Sequence, residues 1–244
     1  MNPIKNPTRI LAQAAGAWLQ YEYACGRSML FNERYMSVPI ASALYAIYKE
    51  EVHSEFLHPV LAPARTGPGR RPEVDFAVVA GSSVPICVVE SKWVGANLLT
   101  AEDLVWDLLR LELVAHHSQA NAFFLLGGKR RHLEHFFQSK AFLGLPTREG
   151  KYRRLLKLDG RRNARIRVDA PASDRVEMFQ KVLKPYQDIS FSSRVTTSLG
   201  FPYPKDCPMS QYQVYAWQIV APPGVRRFLP RDHVLFKVPQ VAPE

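Results

Sequence analysis

The order of apolar and polar residues divides the chain into alternating helices and strands. Ile10, Leu11, Ala14, Ala15, Trp18, Leu19 and Tyr23 recur at helical spacing, with Thr8 as the expected cap and Gly26 as the stop. A connector, RSMLFNERYM, leads to a second helix opened by Ser37 and Pro39 and apolar through Tyr48. A strand is expected from 52 to 60, then a loop in the turn-rich APARTGPGRRP. VDFAVVA (74–80) and PICVVESKW (85–93) read as two further strands. Thr100 starts a long helix with Asp103 as its capping-box partner. NAFFLLG (121–127) is a strand, and GGKRRHLEHFF opens another helix. FQKVLKPYQDI predicts a helix and YQVYAWQIVA (212–221) a strand, among prolines that suggest a loop-rich C-terminal extension.

The expected class is α/β. Strands 74–80 and 85–93 form an antiparallel hairpin. The strand–helix–strand that follows is a crossover unit, which requires a parallel pair. The central sheet is therefore mixed and flanked by helices. Both strand faces are apolar, Phe76, Val78, Cys87 and Val89 on one, Ala77, Val79, Ile86 and Val88 on the other, so both must be covered. Residues 1–140 carry this core with its N-terminal helices. Residues 141–244 carry a basic segment and the extension, packed on the same domain.

Two acids interrupt the apolar hairpin. If residues 80 and 85 pair across GSSV, Asp75 lies opposite Glu90, with Cβ atoms about 4.5–5.5 Å apart. Lys92 projects from the same face as Glu90. Facing carboxylates destabilise a sheet unless a cation lies between them. A hard divalent ion with oxygen ligands answers that need, and Mg²⁺, replaceable by Mn²⁺, suits phosphate chemistry. No histidine stands at zinc-ligand spacing from either acid.

Charge points to the same chemistry. The formal net charge is +10. Residues 129–167 hold 13 Lys/Arg and 3 Asp/Glu, against 19 of each sign elsewhere, so this block carries the whole excess. A solvated face explains scattered charge better than such a block; clustered cations suit a polyanion, whose counterions are released on binding. Lys129, Arg130, Arg131, Lys151, Arg153 and Arg154 are the expected nucleic-acid contacts. The three cysteines form no CxxC pair and no apolar run is long enough to span a membrane, so a cytoplasmic, reducing setting is expected.

VDFAVVAGSSVPICVVESK resembles the core of the PD-(D/E)xK nuclease superfamily, the restriction-endonuclease-like fold. The likeness covers roughly residues 30–130 and includes the αβββαβ order. It implies a metal-dependent nuclease that hydrolyses phosphodiester bonds, most naturally an endonuclease on DNA. Asp75 and Glu90 would bind metal, and Lys92 would assist hydrolysis. A helix glutamate often joins the set; Glu33 is preferred over Glu22 because it lies nearer the sheet in sequence, and Glu55 is a further candidate. Pro72 stands three residues before Asp75 instead of beside it. A homodimer would suit double-strand cleavage. The rival expectation is a non-catalytic module that binds nucleic acid or protein through the same sheet. A third is an interaction protein in which Asp75, Glu90 and Lys92 form a buried ion-pair cluster.

Other motifs carry less. His116 and His117 are adjacent and cannot share a helix face. Asp107 and Arg110 are expected to pair locally at i,i+3. Phe123, Phe124, Phe136 and Phe137 read as core. GGKRR lacks the phosphate-loop spacing but would offer backbone N–H groups to a phosphate at a helix start.

Overall fold

The computed structural model describes residues 6–64, 69–81, 83–95, 99–146, 148–158, 163–200 and 202–237. Helix α1 (Pro7–Ala24) is capped by Asn6, whose side chain accepts the Arg9 N–H; the expected cap, Thr8, is instead buried inside the helix. Two 3₁₀ turns (Ser28–Leu30 and Arg34–Met36) lead into α2 (Ser37–Tyr48). Then come β1 (Glu51–Leu57), ending three residues before the expected 60, and the short helix α3 (Leu61–Ala64), where a loop was expected. β2 (Glu73–Val79), β3 (Pro85–Val94), α4 (Ala101–Ser118) and β4 (Asn121–Lys129) follow. The predicted capping box of α4 is present, with Thr100 and Asp103 bonding reciprocally.

The chain continues through α5 (Arg130–Gln138), α6 (Lys140–Leu143), β5 (Ala164–Arg167) and α7 (Val176–Leu183). It ends with β6 (Phe191–Ser192), β7 (Arg194–Leu199), β8 (Tyr212–Val220) and β9 (Arg227–Phe228). Seven strands form one mixed sheet in the order β1-β2-β3-β4-β8-β7-β5. β3 and β4 are parallel, as their crossover through α4 requires; the other pairs are antiparallel. The C-terminal half is thus less loop-rich than its prolines imply, since β8, β7 and β5 continue the sheet beyond β4. No described helix is long and apolar enough to cross a membrane.

Both faces are covered. Leu104, Leu108 and Leu111 of α4 pack with Val88 and Phe124 on one side. Leu11, Leu19, Ile40 and Leu44 pack with Val78, Val89, Phe123 and Leu125 on the other. Each such buried side chain contributes roughly 1.5–3 kcal/mol. Phe123, Phe124, Phe136 and Phe137 are core, as expected.

Two irregularities set the hairpin. Phe76, Ala77 and Val78 pair with Val89, Val88 and Cys87, the expected register, but Val79 pairs with Pro85, where Ala80 was expected. Ile86 is the extra residue of a β-bulge, and it joins the α1–α2 core instead of the opposite face. At the other end, Phe76 packs on the α1–α2 side but Val74 on the α4 side. Alternation therefore breaks at Asp75, opposite Glu55, which has a positive φ of 52°. Gly127, beside Trp93 on β4, leaves room for Met36 against the sheet; a Cβ there would lie 2.4 Å from Met36 Sδ. Gly127→Ala is expected to displace the turn that carries Glu33 and to lower stability by about 1–3 kcal/mol in urea unfolding.

Candidate functional site: an acid cluster and a basic groove

Charged side chains from four elements converge where β2 and β3 meet α4. Asp75, half-buried, accepts hydrogen bonds at Oδ2 from the Ser91 N–H (2.7 Å) and the Ser91 hydroxyl (3.0 Å). Its carboxylate is thereby tied to the ESK segment of the neighbouring strand. Glu90 is only 1% exposed and lies 2.9 Å from Arg110 Nη2. Lys92 Nζ lies 3.5 Å from Glu33 Oε1 and 3.7 Å from Asp107 Oδ2. Arg110 also lies 3.4 Å from Asp107 and donates to the Glu73 carbonyl. Four carboxylates thus share two cations.

The structure brings Asp75, Glu90, Lys92 and Glu33 into this neighbourhood. Glu22 is elsewhere, bound by Arg27 and Tyr35, its pKa held down to about 2 chiefly by the Arg27 hydrogen bond. Glu55 is exposed and pairs with Arg70 at 3.1 Å. Asp107 and Arg110 do pair at i,i+3, and that pair also completes the cluster. The available signal was position: Asp107 falls on the apolar stripe of α4 that includes Leu104 and Leu111. A carboxylate there faces the core and requires a partner.

Excess negative charge in a buried place shifts protons. Burial first, then Asp107, pushes the Glu90 pKa well up, against the pull of Arg110. Burial raises Asp107 to about 6, against Lys92 and Arg110. Burial also raises Glu33, with Asp75 adding to the effect and Lys92 opposing it. For Lys92, burial works against the charged form, but Asp107, Asp75, Glu33 and Glu90 together outweigh it and raise the pKa. Lys92 is therefore a fixed cation at neutral pH. His58, fully buried, accepts the Val60 and Leu61 N–H groups at Nδ1 and donates from Nε2 to the Arg110 carbonyl, pinning that turn of α4. Burial lowers its pKa to about 4, so its role is structural.

Glu33, Asp75, Ser91 and Arg110 line an open groove of about 720 Å³ together with Trp106 and Tyr186. Glu55 and Glu73 also line it, with Arg34, Arg70 and Arg71, so carboxylate oxygens, which suit a hard cation, alternate with guanidinium groups. Asp107 Oδ2 and Glu90 Oε1 are buried without a well-formed hydrogen bond. Among the described residues, no three His, Cys, Asp or Glu side chains stand close enough together to form a ready metal cage. Glu90 faces Arg110, so joining Asp75 on an ion requires it to turn.

The basic residues divide. Lys151, Arg153 and Arg154 are exposed and line a second groove of about 1130 Å³. Lys129, Arg130 and Arg131 do not line it. Arg130 pairs with Glu134 at 2.9 Å and donates to the Cys207 carbonyl. The Arg130 and Arg131 N–H groups donate to the Gln211 and Met209 carbonyls (2.8 and 3.2 Å). The expected offer of these two backbone donors at the GGKRR helix start is therefore withdrawn by the chain itself.

The cluster predicts a pH signature. An acid raised from 3.8 to about 6 keeps its proton in the fold after the unfolded chain has lost it. Its contribution is therefore favourable below pH 3.8 and is lost as pH rises toward 6, on the order of 3 kcal/mol. His58 works in the opposite sense, losing stability as pH falls from 6.5 toward 4. Comparison with Asp107→Asn separates the two. Relative to this variant, the native chain is expected to lose stability between pH 4 and 6 in parallel urea titrations; parallel curves would remove the assignment.

No family model, curated protein or solved structure matches this chain.

Proposed function

We propose that the chain is a metal-dependent nuclease that hydrolyses phosphodiester bonds of nucleic acid, DNA in the first instance, on a restriction-endonuclease-like core. The observation that carries this reading is the convergence of Asp75, Glu90, Lys92 and Glu33 at one end of the β2–β3 pair, beside an open groove. Apart from the one-turn helix α3 between β1 and β2, the order from α2 to β4 is α–β–β–β–α–β with a parallel β3–β4 pair, which supports the resemblance.

Asp75 and Glu90 would hold Mg²⁺, or Mn²⁺ in its place, with Glu33 completing the set. A divalent ion bound there supplies Lewis-acid polarisation of the phosphate and lowers the pKa of a coordinated water. The residues account for the remaining steps. Ser91 orients Asp75 through two hydrogen bonds. Lys92 stays protonated, so it stabilises charge developing on the phosphate oxygens instead of accepting a proton. Arg110 holds Glu90, which would have to leave that pair to join Asp75 on an ion.

The test is cleavage of plasmid or oligonucleotide DNA with Mg²⁺ or Mn²⁺. Asp75→Asn and Lys92→Met are each expected to lower the rate by about 10²–10³-fold, the scale of losing one preorganised charge contact. Undiminished cleavage in either variant would overturn the assignment. Because burial raises the pKa of both Asp107 and Glu90, protons compete with the ion, and Mn²⁺ affinity by calorimetry should rise with pH.

One observation favours a second reading. Glu90 is buried and matched to Arg110, as in a structural ion-pair cluster. In that case the sheet serves a binding module without catalysis. DNA binding with no heat on Mn²⁺ titration would establish it.

A further inference from the structure

The groove around Lys151, Arg153 and Arg154 has features that the acid cluster does not use. Its described lining includes seven Lys/Arg and no Asp/Glu. β5 forms its floor and is the last strand of the sheet. In Ala164–Arg167 the alternation is regular: Ala164 and Ile166 are buried, Arg165 and Arg167 exposed. The two arginines therefore project from one face, about 6.6 Å apart along the strand.

Counter-charge is scarce. Arg167 lies 3.4 Å from Asp169, which also binds Arg226, and Lys151 pairs with exposed Glu149 at 2.9 Å. Arg153, Arg154, Lys157 and Arg165 have no carboxylate partner among the described residues. Arg175, buried beneath them, donates to the Phe142 carbonyl (2.9 Å); burial disfavours its charge, with Asp174 opposing that effect and Arg153 adding to it. Crowded cations of one sign oppose the compact state until an anion joins them.

Size and composition restrict the anion. The groove's roughly 1130 Å³ exceeds the usual range for a small-molecule pocket, about 300–1,000 Å³, and it opens to solvent. Tyr152 stands between Lys151 and Arg153, 52% exposed. An exposed ring set among cations is the arrangement by which proteins hold unpaired nucleotides, with phosphates on the cations and a base on the ring. A duplex keeps its bases stacked inside and would leave Tyr152 without a partner. The groove is also separate from the acid cluster: β5 lies four strand spacings from β3, roughly 19 Å across the sheet.

We propose that this groove binds a single-stranded stretch of nucleic acid, its phosphates on Arg153, Arg154, Arg165 and Arg167 and a base stacked on Tyr152. The choice of anion rests on the nuclease reading, while the groove's binding does not require metal.

The experiment is fluorescence anisotropy in EDTA with a labelled oligo-dT of about 16 nucleotides, against a duplex of equal length. The native chain should bind the single strand more tightly than the duplex, and more weakly as salt rises from roughly 50 to 200 mM. Arg153→Glu with Arg165→Glu should weaken binding about a hundredfold and flatten the salt slope. Tyr152→Ala should weaken it roughly tenfold without changing that slope. All three positions are exposed, so circular dichroism melts should match the native chain. Preference for the duplex, or equal affinity in the doubly reversed variant, would overturn the proposal. Either result would leave Mn²⁺ binding and cleavage at the acid cluster to be judged separately. Conversely, loss of the nuclease reading with single-strand binding intact would leave the groove assigned.

Discussion

Four carboxylates divided between two cations, two of the acids buried and two at the wall of an open groove, are the constraint from which the rest of the site follows. Glu90 and Asp107 are buried, yet Arg110 and Lys92 cannot neutralise them together with Glu33 and Asp75. Such an imbalance has three physical outlets: protons, a metal ion, or disruption of the fold. Burial, with neighbouring acids adding to it, raises Glu33, Glu90 and Asp107 in the direction of the first outlet. A divalent ion would replace those protons, which is why acidity and metal affinity are coupled here. Apolar packing on both faces of the sheet makes the cost tolerable, since each buried leucine or phenylalanine returns energy that the ion pairs need not supply.

Much of this was legible in the sequence because it depended on short-range rules. The apolar runs VDFAVVA and PICVVESKW, set off by the GSSV turn, marked the two strands, and the Thr100–Asp103 capping box marked the start of α4. The parallel β3–β4 pair followed from the crossover. Less visible was whatever needed a third dimension. Asp107 and Arg110 read as a local pair because i,i+3 spacing explains them fully; only α4 lying against β3 reveals Glu90 and Lys92 as their other partners. β5 and β7 were missed for another reason. ARIR is too short to establish a period, and RVTTSL has a nearly polar face, so neither stands out from its loops. The first cap was misplaced by two residues because Asn6 and Thr8 are both competent and Pro7 favours the earlier start.

The two grooves differ in charge. The one beside α4 mixes Glu33, Glu55, Glu73 and Asp75 with Arg34, Arg70, Arg71 and Arg110, whereas the described lining of the one at the far edge strand holds Lys and Arg and no Asp or Glu, with β4, β8 and β7 between them. A polyanion held at the basic edge therefore lies on the same sheet as the acid cluster.

The bulge at Ile86 has an effect beyond geometry. Because the extra residue lies between the turn and the charged end of β3, the spacing of the turn and the alignment of Asp75 with ESK are set independently. A loop that gains or loses a residue can be accommodated by forming or dissolving that kink, while the pairing of Phe76 with Val89 stays as it is. The tip of this hairpin is therefore a place where the chain can vary in length over evolutionary time, or accept a grafted segment, without re-aiming the side chains below it.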